Sequence, residues 1–124
     1  MDNPGVANRH LPLCRALIHQ RQLVTDLVGS MLCANPVWDM LLDLYVADHE
    51  GRLPYIWPLS VAGKVPISSA HRKIDVMVQH GLVVRVVDES DRRRVGIQLT
   101  AQFRERLELL FNRLMQAFHD ASCS

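Results

Sequence analysis

Between Leu11 and Leu32 the apolar residues Leu13, Leu17, Ile18, Val24, Leu27, Val28 and Met31 recur at helical spacing, with Gln20, Arg21, Gln22 and Asp26 between them. One apolar stripe on an otherwise polar cylinder predicts a long amphipathic helix. Asn35-Pro36 is a helix start, because the Asn side chain can accept from an orphan amide and Pro loses no bond at the first helical position. Gly51 is a fitting stop, so a second helix is expected from about Pro36 to Glu50, with Val37, Met40, Leu41, Leu44 and Tyr45 as its core stripe. An extended piece follows around Leu53 to Trp57. Pro58 can open a brief helix through Ala62, and Gly63-Lys64-Val65-Pro66 forces a turn. Ser68 or a neighbour caps the next helix, which ends at His80-Gly81; there Ala70, Ile74 and Met77 face inward while Ser68, Ser69, His71, Arg72 and Asp75 face out.

The period then drops from that of a helix to that of a strand. Leu82, Val84 and Val86 alternate with Val83, Arg85 and Val87, and Val95, Ile97 and Leu99 alternate with Arg94, Gly96 and Gln98, which predicts an antiparallel hairpin with the polar tip 88–93. Thr100 caps a final helix whose positions 103, 107, 110, 111, 114, 115 and 118 are all apolar. Residues 1–10, with Pro4 and Gly5 and little apolar periodicity, are expected to form a flexible N-terminal arm.

Composition narrows the class. A chain of 124 residues with 48% hydrophobic content builds one core, and a net charge of +1 excludes nucleic-acid binding through bulk positive charge. Charge is nevertheless segregated: between Lys64 and Arg94, seven Lys or Arg stand against four Asp or Glu, and the remainder of the chain is net acidic. Cys14, Cys33 and Cys123 are odd in number and lack the paired spacing of a zinc site or a disulfide framework, which fits a reducing cytoplasm. With no basic leader before an apolar run, and no stretch near the roughly 18 apolar residues of a membrane span, the chain reads as soluble and unprocessed.

Short helix, tight turn, helix with an outward polar face, then a hairpin with a cationic tip: this order is the plan of a winged helix-turn-helix. The expected fold class is mainly α with a small antiparallel β-hairpin wing, flanked by long N- and C-terminal dimerisation helices. A helix fits the major groove of B-form DNA, where base edges present a readable donor and acceptor code, and its N-terminus can hold a phosphate. Candidate DNA-binding residues are Ser68, Ser69, His71, Arg72 and Lys73 on that helix and Asp91, Arg92, Arg93 and Arg94 at the hairpin tip. Residues 11–124 then form one winged-helix domain, with 35–100 as DNA-binding core and 11–34 and 101–121 as dimerisation helices. Two long terminal helices carry more apolar surface than one small domain covers, so a homodimer is expected, and a dimer supplies the two half-sites of a palindromic operator.

The run Val65-Pro66-Ile67-Ser68-Ser69-Ala70-His71-Arg72-Lys73-Ile74-Asp75, followed by Gly81-Leu82-Val83-Val84-Arg85, Asp91-Arg92-Arg93-Arg94-Val95 and Leu99-Thr100, resembles the multiple antibiotic resistance regulator (MarR) family over about residues 35 to 107. The resemblance implies a dimeric transcriptional regulator whose terminal helices pair, whose second motif helix reads the major groove and whose wing arginine enters the minor groove. Ser68, Ser69, His71 and Arg72 match the reading helix, and Asp91 with Arg93 matches the wing pair, in which Asp91 would orient the arginine. Lys64 stands where the family's turn has Gly, with Gly63 one place early. Val76 replaces a polar or basic residue, and the chain is shorter than typical members, so a small-molecule effector is left open.

Other readings have less to stand on. Gly63-Lys64 is no phosphate loop, since Pro58 and Val65 hold the places of its first Gly and its Ser or Thr, and no Gly-x-Ser-x-Gly elbow exists, so no enzyme is expected. His10 and Cys14 share a helix face without further ligands, so neither a metal nor another cofactor is implied. Cys14 lies roughly where the family's hydroperoxide sensors keep a reactive thiol, but its flanking residues favour a buried, inert one. Trp38, Trp57 and Tyr45 are read as core packing. The rival function is a winged helix used as a protein-interaction module.

Overall fold

The computed structural model describes residues 4–123. The elements follow in the order α1 (Pro4–Val28), α2 (Ser30–Cys33), α3 (Pro36–His49), α4 (Ile56–Ala62), α5 (Ile67–Gln79), β1 (Val83–Val87), β2 (Val95–Leu99) and α6 (Ala101–Cys123). Helix α3 is the axis, meeting α1, α4 and β2. That central position explains why Met40, Leu41, Leu42, Leu44, Tyr45, Val46 and Ala47 are all buried, a wider apolar face than a surface helix shows. Around it close Ala70, Ile74 and Met77 of α5, the strand residues Val83, Ile97 and Leu99, and Leu107 and Phe111 of α6. The Tyr45 and Phe111 rings meet edge to face with centroids 4.8 Å apart, a favoured aromatic geometry.

Both expected caps are in place. The Asn35 side chain accepts from the Trp38 amide at 3.4 Å with Pro36 opening α3. Thr100 Oγ1 accepts from the Phe103 amide at 3.2 Å and donates to the Gly81 carbonyl at 2.8 Å. One hydroxyl thus starts α6 and fastens it to the loop after α5.

The hairpin pairs Val83 with Leu99, Arg85 with Ile97 and Val87 with Val95. Period-two geometry puts Val83, Ile97 and Leu99 on the buried face. The segment leading into α4 adds a short third rung: the Ile97 amide donates to the Pro54 carbonyl at 2.8 Å, and Tyr55 bridges Gly96. A Cβ on Gly96 would overlap the Leu53 side chain, so with Leu53 in this position the lead-in segment crosses β2 over a glycine.

Four expectations are corrected. Of the supposed arm, residues 4–10 are helical and residues 1–3 lie outside the described residues. His10 is buried, its Nε2 is 2.7 Å from Asn112 Oδ1 and its ring stands edge-on to Phe111; these contacts with α6 favour an ordered start. The first helical stretch breaks at Gly29, whose φ of 107° no α-helix accommodates, and α2 follows as a separate turn. Helix α4 begins at Ile56, because Pro58 falls in its first turn, where an amide has no intrahelical partner to lose. Trp57 is 65% exposed and is not core, whereas Tyr45 is fully buried and Trp38 half-buried.

Candidate nucleic-acid interface

Helix α5 carries its apolar row inward and its cations outward. Ser68, His71, Arg72 and Lys73 are exposed and Ser69 is half-buried. Pro66, with φ −60° and ψ 154°, occupies the N-cap position with no side-chain cap bond, so Ser68 lies inside the first turn and is not the expected cap. The proline ring fixes the extended entry that a cap residue otherwise supplies, which leaves the leading amides of α5 unoccupied by any side chain. Such amides, at the positive end of the helix dipole, suit a phosphate oxygen. Asp75 would oppose one, but Arg85 of β1 pairs with it. Val76, one turn beyond Arg72, is 47% exposed on the same side.

The turn between α4 and α5 explains the displaced glycine. Gly63 has an ordinary φ of −80°, but a Cβ there would stand 2.7 Å from Met40 Cε and 3.3 Å from the Pro36 carbonyl oxygen. Its absent side chain lets the turn approach α3. Lys64 takes the left-handed position, with φ 57°. A non-glycine residue there carries roughly 1–2 kcal/mol of strain, and an ion pair lies beside it: Lys64 Nζ is 3.5 Å from Asp39 Oδ2. Asp39 also accepts from Arg21 Nε at 2.9 Å, and the same guanidinium donates to the Cys33 carbonyl at 2.6 Å. The carboxylate raises the Arg21 pKa, chiefly through this hydrogen bond. The Asp39 carboxylate of α3 therefore joins α1 to the turn of the motif, and the Arg21 guanidinium carries the link on to the end of α2.

At the hairpin tip, Asp91 Oδ1 accepts from the Arg93 amide at 3.1 Å and from Arg93 Nε at 3.3 Å, while the Arg93 side chain stays 92% exposed. Arg92 is also exposed. Arg94 turns back: its Nε is 3.5 Å from Asp91 Oδ2 and its guanidinium lies 5.2 Å from the Tyr55 ring centroid. Tyr55 in turn donates its hydroxyl proton to Asp88 Oδ2. Hydrogen bonds from the Ser90 hydroxyl, from Tyr55 and from the Ser90 amide hold the Asp88 pKa down at about 2. Sequence reasoning placed Asp91 and Arg93 together; it missed Tyr55 and Asp88, whose partners are distant or hidden in a turn.

Beside the turn, Ile18, Arg21, Gln22, Asp43, Val61 and Lys64 line a cleft of about 220 Å³. That is below the roughly 300–1,000 Å³ of ordinary small-ligand sites. Among the described residues no group of three or more His, Cys, Asp or Glu is placed to hold a metal ion. Cys14 is buried and its Sγ lies 3.4 Å from the Leu42 carbonyl oxygen; burial, with the Asp43 charge, pushes the thiol pKa up to about 12. Only thiolate is nucleophilic, so the native protein should leave Cys14 unlabelled by a thiol reagent at neutral pH while exposed Cys123 reacts. Mass mapping after brief labelling checks this, and Cys14 reacting as fast as Cys123 would revive the sensor reading.

No family model and no curated protein matches the sequence. Solved structures do match. A mutant of Staphylococcus aureus MepR bound to an oligodeoxyribonucleotide superposes with a TM-score of 0.60 at 20% identity, covering 90% of this chain and 79% of that one. The transcriptional regulator Tm0710 of Thermotoga maritima gives 0.59 at 19% identity, over 90% and 77%. A MarR family transcriptional regulator from Silicibacter pomeroyi gives 0.56 at 25% identity, over 94% and 76%. The long helices, the helix-turn-helix and the hairpin of this chain together make the winged-helix fold of the MarR-family transcriptional regulators.

Proposed function

We propose that the chain is a DNA-binding transcriptional regulator of MarR type that works as a homodimer on a palindromic operator, without catalytic activity. The observation that carries this reading is that two consecutive elements of the motif, α5 and the hairpin, each hold exposed cations. Helix α5 offers Arg72, His71 and Lys73 beside free amides, and the wing holds Arg93 outward on Asp91. Ser68 and Ser69 stand at the groove-facing start of α5, and Arg92 supplements Arg93. Arg94 serves the wing's own structure before any phosphate. The complex of MepR with an oligodeoxyribonucleotide supports the same use of the fold. Residues 35–100 form the DNA-binding core on this reading.

Dimerisation rests on α1, α2 and α6. Leu27, Met31 and Leu32 are 84%, 95% and 80% exposed, and Leu109 and Phe118 of α6 are each about half exposed, more apolar surface than a soluble monomer leaves uncovered. A second copy covering these helices would also set the half-site spacing. Among the described residues no helix is long and apolar enough to cross a membrane; we place the protein in the cytoplasm, where its three free thiols stay reduced. An ethidium-bound MepR shows that a protein of this fold can hold a small cation, and an effector for this chain is open.

Fluorescence anisotropy with a random-sequence duplex pool, across a salt series, is the test. Binding at low salt that falls steeply as salt rises is expected, from a species that sediments as a dimer. Exposed Trp57 and Val61 on α4 favour the alternative of a protein-interaction module. Absence of duplex binding at low salt would make that alternative the better reading.

A further inference from the structure

We infer that Tyr55 is the positioning residue of the wing: through Asp88 and Arg94 it fixes the hairpin against the segment that enters α4, so that Arg93 and α5 present to DNA as one rigid surface. This rests on the DNA-binding reading above.

A two-stranded hairpin alone is marginal in water, and its tip moves freely unless something outside the ladder holds it. Here the root of the wing is held by the lead-in segment, through the Ile97 amide on the Pro54 carbonyl and the Tyr55–Gly96 bridge. Tyr55 extends that hold to both sides of the tip. Its hydroxyl donates to Asp88, at the end of β1, and its ring face receives the Arg94 guanidinium, just before β2. Arg94 is bound from the other side by Asp91, the residue that holds Arg93. The chain of contacts therefore runs from Tyr55 through Arg94 and Asp91 to Arg93 without a gap. Asp88 stays ionised throughout the neutral range and keeps accepting from Tyr55. Tyr55 itself need not touch DNA.

The test uses the full chain and a duplex recovered by selection from a random pool, in a double-mutant cycle of Tyr55→Phe and Arg93→Ala. Tyr55→Phe keeps the ring and removes the hydroxyl, with its bond to Asp88 and its hydrogen bond with Arg94. It is expected to weaken binding about three- to tenfold in the wild-type background and to change nothing further once Arg93 is Ala, because the two act through one contact. Asp88→Ala removes the shared acceptor together with the Ser90 bonds and should weaken binding in the same direction. In the free protein, amide relaxation at residues 91–94 should show greater mobility in Tyr55→Phe, with the melting temperature unchanged. Equal losses in both backgrounds would mean a direct or general effect, and unchanged binding together with an equally ordered tip would mean no role; either result overturns the proposal. If wild-type protein selects no duplex, the DNA reading itself fails. The relaxation measurement then still decides whether Tyr55 orders the wing.

Discussion

Replacing Asp39 with Ala is expected to lower the unfolding free energy by about 3 kcal/mol, within the range for removing one partner of a buried ion pair. The Asp39 side chain is 7% exposed and that of Arg21 is 13% exposed. Without the carboxylate, the guanidinium keeps only the Cys33 carbonyl among its bonds, and Lys64 retains its left-handed backbone with no counter-charge. The loss therefore combines an uncompensated buried cation with a loosened turn. Arg21→Met combined with Asp39→Leu should recover much of it, because apolar replacement of both partners removes the stranded charge. Urea unfolding at fixed protein concentration, so that dimerisation does not confound the comparison, measures both. A single-mutant loss below about 0.5 kcal/mol would place this pair with the weak surface bridges instead.

Arg72→Ala and Arg93→Ala are expected to fail in different ways. Arg72 projects from α5, where a guanidinium can reach a guanine edge in the major groove. Its loss should cost about 1–3 kcal/mol on a duplex selected from a random pool and flatten discrimination at one base position per half-site. Arg93 stands at the wing tip and would enter a narrow minor groove, where it feels electrostatic potential more than base identity. Its loss should weaken all duplexes more evenly and reduce the salt slope by roughly one per subunit. Anisotropy titrations of selected and shuffled duplexes over a salt series separate the two patterns. If neither substitution changes affinity for the selected duplex, this face does not read DNA.

What could be read from the sequence follows from which forces are local. The Asn35 and Thr100 caps, the inward row Ala70, Ile74 and Met77, and the antiparallel pairing of the hairpin each depend on residues a few positions apart, and each stands in the structure as the pattern predicts; the strict alternation does not, since β1 buries Val83 and leaves Val84 and Val87 exposed. The misreading of the N-terminus arises where a distant contact overrides a local rule, whereas the break at Gly29 and the early start of α4 are local. Pro12 lies inside α1, where it removes a backbone bond, and neighbouring Leu11, Leu13, Cys14 and Leu17 pack against the core on either side of it. Nothing near residue 10 announces that its ring will meet α6. The same holds for the site. Exposure of Arg72 and the Asp91–Arg93 pair were legible, the first from helical period and the second through resemblance. The fold-back of Arg94 was not, because its partner Tyr55 belongs to the segment before α4. A carboxylate at position 39 of a mostly apolar helix signals that some cation must answer it, but no local spacing rule selects Arg21.

The crossing of Leu53 over Gly96 limits how this chain can drift. Any side chain at position 96 competes for the volume that Leu53 fills, so a single replacement there must expel Leu53 or push the lead-in segment off β2. A smaller residue at position 53 makes room first, at the cost of a cavity. The two positions are therefore epistatic in one order: position 53 can shrink by itself, whereas a side chain at position 96 should appear only in descendants whose residue 53 is already smaller than Leu.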